Sequence, residues 1–323
     1  MGEPLPFPGV TASTTSSCVP AGLPAVVAIV GPTASGKSAV AEALARRIPA
    51  EVVSTDSMQV YRGLPILTNQ PETPTRLVGI WPLDHKGSVG EYALLAHAAI
   101  DEVVAAGRTA IVAGGTGLYL RAALAELELP PAPAPGARNR WEALYDAEGG
   151  AAAHARLAAL DPGAAAAVHP NDRRRVVRAL ELAEAGRSLR PAEDRLWAEE
   201  TRHPTLIVAL AVPREVLAER VERRTSAMFE RGVEEEVRRA LARPVSATAR
   251  YLIGLREVAE LPREEAVAAI VRRTLRYAAY QRKWLRRIPG AVSLAADRPP
   301  EEVADEVLEV ARARQRLPAR RAG

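Results

Sequence analysis

The sequence predicts an α/β fold, a P-loop doubly wound parallel sheet core with an inserted all-helical subdomain. Short apolar runs alternate with helical segments along most of the 323 residues, and polar or glycine-rich loops follow the apolar runs. The stretch 123–199 breaks this alternation with alanine-rich helical segments. Because ligands bind at the carboxyl ends of strands in such sheets, we expect the functional residues in those loops.

Four apolar runs predict strands, which cover 25–30, 50–56, 109–120 (running into glycines) and 205–213. Three helices are predicted around them: one over 39–48, directly after the first strand and its glycine-rich loop, one over 91–107 that Gly107 ends, and one long arginine-rich helix from about 214 to 243. In the insertion, 169–186 is predicted as a helix that Asn171 or Asp172 caps and Gly186 ends.

The predicted organisation has four parts: a disordered leader (1–22), a core (23–122 and 200–292), the helical insertion (123–199), and a C-terminal helix with a basic tail (293–323). The leader is rich in Pro, Ser, Thr and Gly and lacks Lys and Arg, which argues against a secretory signal. No run of 18 apolar residues occurs, so we expect no membrane span.

Composition excludes further classes of protein. With 48% apolar residues the chain can fill a sizeable core, and its single cysteine, Cys18, excludes a disulfide framework and a cysteine-based metal cage. We therefore expect a cytoplasmic protein, and we expect it to be a monomer. Of 43 basic residues only Lys37, Lys86 and Lys283 are lysines, so the abundance of arginine is weak evidence for nucleic acid binding.

A phosphate-binding loop lies between the first strand and the first helix. Gly31, Gly36, Lys37 and Ser38 have the spacing of a Walker A motif. Its backbone amides and helix N-terminus would hold a diphosphate, Lys37 would reach an outer oxygen, and Ser38 would hold Mg²⁺. The predicted diphosphate contacts from this loop are Gly31, Pro32, Thr33, Ala34, Ser35, Gly36, Lys37 and Ser38. The loop alone does not name the reaction.

Two further strands end on polar residues at the same edge. Asp56 ends the second strand, and the polar and aromatic residues of "STDSMQVYRGL" suit a substrate contact. Asp56 as a helix cap or as a residue that holds a magnesium-bound water is the alternative. Thr116 follows the third strand in "GGTGLYL", a glycine turn that is weak evidence by itself.

Seven segments in this order resemble the tRNA dimethylallyltransferases, over about residues 24 to 290: "GPTASGKS", "STDSMQVYRGL", "GGTGLYL", "HPNDRRRVVRALE", "ERVERRTSAMFERGVEEEV", "TARYLIGLREV" and "TLRYAAYQRKWLRR". The resemblance implies transfer of a dimethylallyl group from dimethylallyl diphosphate to N6 of the adenosine on the 3′ side of the anticodon, with Mg²⁺ as cofactor. It implies catalytic roles for Lys37, Asp56 (the general base), Thr116 and Arg224, and adds Arg220 and Arg224 to the diphosphate site.

The resemblance also implies contacts with the anticodon stem-loop of tRNA, with the insertion on the anticodon arm. The implied tRNA-binding residues are Asp56, Ser57, Met58, Gln59, Thr116, Arg138, Arg174, Arg175, Arg178, Arg276, Gln281, Arg282, Lys283, Trp284 and Arg286. Aromatic and basic side chains interleaved near the end of the core suit stacking on unpaired bases, although the aromatic stripe packing on the core is the alternative. The chain departs from the family's pattern at Leu67, Gln70, Ala279, Tyr280 and Lys283, mainly in segments expected to contact RNA.

Three other functions stay open on the sequence. An adenylate isopentenyltransferase that prenylates a free nucleotide shares the P-loop and the aspartate, but the large insertion and the Gln281–Trp284 segment argue against it. A P-loop phosphotransferase for a small metabolite would bind ATP, and a non-catalytic RNA-binding protein would not depend on Asp56.

Overall fold

The structure is a computed structural model that describes residues 23–127, 134–189 and 198–316. The predicted leader (1–22) and the last residues of the predicted basic tail (317–323) lie outside the described residues. Within the described ranges, no helix is both long enough and apolar enough to cross a bilayer.

A parallel sheet of six strands forms the centre of the molecule, in the order β3-β2-β4-β1-β5-β6. The strands are β1 Val26–Val30, β2 Ala50–Ser54, β3 Thr75–Arg76, β4 Thr109–Gly114, β5 Thr205–Ala211 and β6 Val292–Ala295. Strand β1 lies between β4 and β5, with Val26 opposite Ala110 and Thr205, and is buried along its whole length. Burial on both faces explains its continuous apolar sequence, and the predicted fold class is confirmed.

The described residues form eleven helices: α1 Lys37–Ala45, α2 Val89–Ala105, α3 Gly117–Leu124, α4 Ala137–Leu160, α5 Pro162–Ala167, α6 Arg173–Glu184, α7 Arg214–Glu230, α8 Val233–Leu241, α9 Leu255–Glu260, α10 Arg263–Leu285 and α11 Pro300–Arg316. Helices cover both faces of the sheet. One apolar cluster joins it to α2, α3 and α8, and the other joins it to α1 and α11.

Helices α4 to α6 form the insertion, with a small apolar core of their own around Leu157, Val176 and Leu180. Of the two residues predicted to cap α6, Asp172 is the cap: its Oδ1 accepts the Arg175 amide at 3.1 Å. The helix ends before Gly186, which takes a left-handed φ of 68°.

Three sequence predictions of secondary structure were wrong in detail. The third strand ends at Gly114, and its predicted continuation over "GLYL" starts α3 instead. The single helix predicted from about 214 to 243 is two helices, because Gly232 adopts φ 87° and turns the chain between α7 and α8. Strands β3 and β6 were not predicted, since two and four residues give too short a pattern.

Helix α8 holds the segment 64–70 against the core through a buried carboxylate. Glu236 is 4% exposed, and its two oxygens accept the amides of Ile66 at 2.7 Å and Leu67 at 2.8 Å. Burial raises the pKa of Glu236, while the two amide hydrogen bonds oppose that change. The carboxylate thus satisfies two backbone donors that the segment's own residues leave unpaired.

We expect Glu236→Ala to lower the free energy of unfolding by about 2–4 kcal/mol, because it strands two backbone donors. Urea unfolding measures this change. The matched control is Glu235→Ala, one residue away on the exposed face, where ion pairs with Arg238 and Arg239 are lost at a cost below about 0.5 kcal/mol. Equal losses for the two variants would contradict the anchoring role.

Candidate active site

The P-loop and two arginines of α7 surround one end of a cavity of about 690 Å³. Lys37 Nζ donates to the Pro32 carbonyl at 2.8 Å, and Arg224 Nη2 donates to Thr33 Oγ1 at 3.1 Å. Arg220 Nη1 donates to the carbonyls of Ser35 at 3.5 Å and Ala296 at 3.1 Å. The structure therefore brings both predicted arginines to the predicted diphosphate loop.

These cations are poorly solvated. Burial lowers the pKa of Lys37 to about 8, with Asp56 opposing the change and Arg224 adding to it. Burial also lowers the pKa of Arg224, again opposed by Asp56. Among the described residues, Arg224 Nε is buried without a hydrogen-bond partner. Both side chains are half-buried. Two neighbouring cations with reduced hydration are costly in the free protein, so the site is suited to an anion with several oxygens.

Asp56 lines the same cavity, directly after β2. Its Oδ1 accepts the Met58 amide at 2.9 Å, which fixes the carboxylate beside the loop 57–59. The other carboxylate oxygen receives no hydrogen bond from the described residues. It is a free acceptor facing a cationic site, which is the arrangement a general base needs.

Thr116 begins the turn into α3, after β4. Its Oγ1 lies 3.2 Å from Ser57 Oγ and 3.1 Å from the Tyr277 hydroxyl, and the Ser57 amide points at it from 3.5 Å. Thr116 does not line the cavity itself, whereas Tyr277 does. The carboxyl ends of β1, β2 and β4 thus bring together the P-loop, Asp56 and Thr116, as the sheet prediction requires.

The opposite wall of the cavity is apolar. It is formed by Met58, Leu67, Met228, Ile253 and Ile270. Apart from Met58, none of these was a predicted site residue, because each lies in a segment whose pattern indicates core packing. The cavity therefore offers an anion site at one end and an apolar surface beside it, which suits a ligand with a charged head and a short hydrocarbon group.

The predicted adenine contact Gln59 is 8% exposed, and its amide is engaged within the protein. Its Oε1 accepts the Ser54 hydroxyl at 2.9 Å, and its Nε2 donates to the Asn69 carbonyl at 2.8 Å. Gln70, one of the departures from the family's pattern, donates to the Tyr61 carbonyl at 2.8 Å. Both glutamines stabilise the loops that border the cavity, and contact of Gln59 with a base remains a prediction.

Helix α10 divides the residues predicted to bind tRNA between two faces. Gln281 is 3% exposed, and its Oε1 accepts the Thr33 amide of the P-loop at 2.7 Å. The Trp284 ring lies so close to Gly117 that a side chain there would overlap it. Exposed on the other side are Arg276, Ala279, Tyr280, Lys283 and Arg286, with Arg282 half-buried. Gln281 and Trp284 therefore contact the loops of the site, whereas Tyr280 of the same predicted aromatic stripe is 58% exposed, so packing of the stripe on the core holds only in part.

The arginines of the insertion also differ among themselves. Arg138 and Arg178 both pair with the buried carboxylate of Glu181, at 2.6 Å and 3.0 Å. The Arg174 guanidinium lies 4.0 Å from the centre of the Tyr251 ring, which belongs to the core, and Arg175 is exposed. Arg174 thus lies where the insertion meets the core and Arg175 lies at the surface, whereas Arg138 and Arg178 stabilise the insertion.

The described residues could hold a magnesium ion only together with oxygens of a bound diphosphate. No group of three or more His, Cys, Asp or Glu side chains that would hold a metal occurs in the described ranges. Ser38 is exposed at the first turn of α1, with its hydroxyl beside the anion site. Because Mg²⁺ commonly takes one or two protein oxygens plus phosphate oxygens and water, Ser38 and a bound diphosphate match its needs.

Comparison with known sequences points to one family. The sequence profile described as IPP transferase matches residues 59–288, and that described as isopentenyl transferase matches residues 24–77. A tRNA dimethylallyltransferase of Anaeromyxobacter dehalogenans (strain 2CP-C) is 43% identical over 294 residues, which is 87% of this chain and 98% of that protein.

Solved structures agree. The tRNA isopentenylpyrophosphate transferase of Bacillus halodurans superposes with a TM-score of 0.62 at 31% identity, covering 90% of this chain and 99% of that one. A eukaryotic dimethylallyltransferase acting on tRNA superposes with a TM-score of 0.67 at 26% identity, covering 84% of this chain and 73% of that one.

The pKa of Lys37 makes anion binding depend on pH. Below about pH 8 the ammonium is charged, and as pH rises through 8 the free site loses that charge, so we expect the affinity for inorganic pyrophosphate to fall. Isothermal titration from pH 7 to 9.5 measures the change. The control is Lys37→Met. It has no ammonium to titrate, so the pH dependence of its affinity reports the protonation of pyrophosphate alone. The same pH dependence in both proteins would contradict the assignment.

Proposed function

The chain belongs to the tRNA dimethylallyltransferase family, and from this premise we propose that it transfers the dimethylallyl group of dimethylallyl diphosphate to N6 of the adenosine 3′-adjacent to the anticodon in tRNA. One observation carries the proposal. Asp56 lines the same cavity as Lys37 and Arg224, beside an apolar wall. The cavity thus combines a site for a diphosphate, a surface for a five-carbon group and a proton acceptor.

The reaction breaks the bond between the allylic carbon and the diphosphate oxygen and forms a bond between that carbon and N6. Negative charge develops on the departing diphosphate, where Lys37 and Arg224 stabilise it. The attacking amine must lose one proton, and Asp56 takes it. The poor hydration of both cations strengthens their interaction with the developing charge.

Thr116 and Ser38 complete the site. The Thr116 hydroxyl orients the diphosphate or the amine near the reacting carbon. Ser38 with the diphosphate oxygens would hold Mg²⁺, which supplies further neutralisation of the leaving group when it is bound.

The acceptor base must leave its stack to reach a cavity of this kind. Loop 57–59 borders the cavity beside Asp56 and is the proposed contact for that base. The exposed cations Arg175, Arg276, Lys283 and Arg286 form the proposed phosphate contacts. Arg174 stacks on Tyr251, which joins the insertion to the core.

The proposal is tested by incubating the protein with dimethylallyl diphosphate and an anticodon stem-loop RNA, followed by mass spectrometry of the nucleosides. We expect N6-isopentenyladenosine with the RNA and none with AMP as acceptor. Product from AMP alone would instead identify an adenylate isopentenyltransferase. No product from either acceptor would reject prenyl transfer.

Replacing the proposed general base, Asp56, distinguishes an effect on the chemical step from an effect on diphosphate binding. We expect Asp56→Asn to lower kcat by about 10²–10⁴-fold, while pyrophosphate affinity changes little or increases, because the cations stay in place. Single-turnover rates and pyrophosphate titration measure the two effects. A variant that prenylates RNA at the wild-type rate would show that Asp56 is not the base.

An RNA-binding assay tests whether the exposed arginine Arg175 of the insertion contacts an RNA phosphate. We expect Arg175→Ala to weaken stem-loop binding and to reduce the salt dependence of binding by about one phosphate contact. The control is Arg312→Ala, an exposed arginine of α11, which packs on α1. An unchanged salt slope for Arg175→Ala, measured by fluorescence anisotropy at several salt concentrations, would remove Arg175 from the RNA contacts.

A further inference from the structure

Tyr277 lies between the cavity and Thr116. It lines the cavity together with Lys37 and Asp56, and its hydroxyl is 3.1 Å from Thr116 Oγ1. We propose that Tyr277 is a positioning residue for prenyl transfer, whose hydroxyl fixes the direction of the Thr116 hydroxyl proton. This inference rests on the proposed function of the cavity and adds a residue to it.

The hydrogen-bond inventory of Thr116 supports this role. A threonine hydroxyl has one proton and two lone pairs. The Ser57 amide can only donate, and at 3.5 Å it points at one lone pair of Thr116 Oγ1. Either hydroxyl of the Thr116–Tyr277 pair can donate; in the proposed arrangement Tyr277 donates to the second lone pair, and the Thr116 proton turns to another acceptor. In the free protein that acceptor is Ser57 Oγ at 3.2 Å. Thr116 lies behind Tyr277 and outside the cavity lining, so the proposal requires a substrate oxygen to enter beside Tyr277 and take the place of Ser57.

Tyr277 keeps the proton that this arrangement needs. Burial raises the pKa of Tyr277 to about 12, and the negative charge of Asp56 acts in the same direction. Hydrogen bonds between the phenol oxygen and the side chains of Thr116, Ser57 and Gln281 oppose the change without cancelling it. The hydroxyl is therefore neutral and able to donate around neutral pH.

Helix α10 holds Tyr277 in place. One turn further on, Gln281 accepts the Thr33 amide of the P-loop, and Trp284 covers Gly117 directly after Thr116. Both neighbours of Tyr277 on this face are thus tied to loops of the site. A shift of α10 would break the contact with the P-loop as well as the contact with Thr116, so the Tyr277 hydroxyl is pre-organised rather than mobile.

The test is Tyr277→Phe, with Tyr61→Phe as a matched control. Tyr61 makes the same kind of bond, with its hydroxyl donating to Thr248 Oγ1 at 2.9 Å. Although its segment was expected to contact substrate, Tyr61 is 4% exposed in the apolar core and does not line the cavity. We expect Tyr277→Phe to lower kcat about 10-fold, the effect of one hydrogen bond, with KM for dimethylallyl diphosphate and for the stem-loop within about twofold. Tyr61→Phe should keep the wild-type kcat.

A double variant shows whether Tyr277 acts through Thr116. Thr116→Ala combined with Tyr277→Phe should be no slower than Thr116→Ala alone, within about twofold, because the group that Tyr277 orients is already gone. Losses that multiply, or a wild-type kcat for Tyr277→Phe, would overturn the inference. A wild-type protein without prenyl transfer would reject the proposed function instead, so the two failures are distinguishable.

Discussion

The site depends on two cations, Lys37 and Arg224, whose hydration the fold reduces by half-burying them. Lys37 belongs to the P-loop, and Arg224 of α7 contacts that loop at Thr33. Loss of hydration lowers the pKa of both groups, Arg224 lowers that of Lys37 further, and the negative charge of Asp56 opposes the change in both. Charges placed in this way are costly without a ligand and strongly stabilised by an anion. The negative charge of Asp56 stabilises both cations in the free site, and the same carboxylate is the candidate base.

Distant parts of the chain must come together to build this arrangement. The bond from Arg224 to Thr33 spans 191 residues, and that from Gln281 to Thr33 spans 248. Neither the P-loop nor α7 is a site by itself, because the loop supplies one cation and α7 the others. Only the completed sheet, with helices on both faces, fixes the distance between the P-loop and α7, so the anion site forms only when the core is folded.

The sequence was sufficient for the features that depend on local pattern. The P-loop lies between β1 and α1 as its motif predicts, and Asp56 and Thr116 follow strands that neighbour each other in the sheet. Partners across the fold could not be predicted. A periodic stripe shows that Gln281 and Trp284 share a face, but not that this face meets glycine loops. A basic run likewise gives no sign that Arg138 pairs with a buried Glu181.

Helix α10 shows why such partners matter for function. Tyr277, Gln281 and Trp284 recur at helical spacing and contact the reacting loops, while Arg276, Lys283 and Arg286 occupy the exposed side. Under the proposed function, one rigid helix therefore carries RNA phosphates on one side and orients Thr116 on the other. An RNA that docks on the outer side needs no moving part to meet a correctly aligned hydroxyl, because the inner side already holds it.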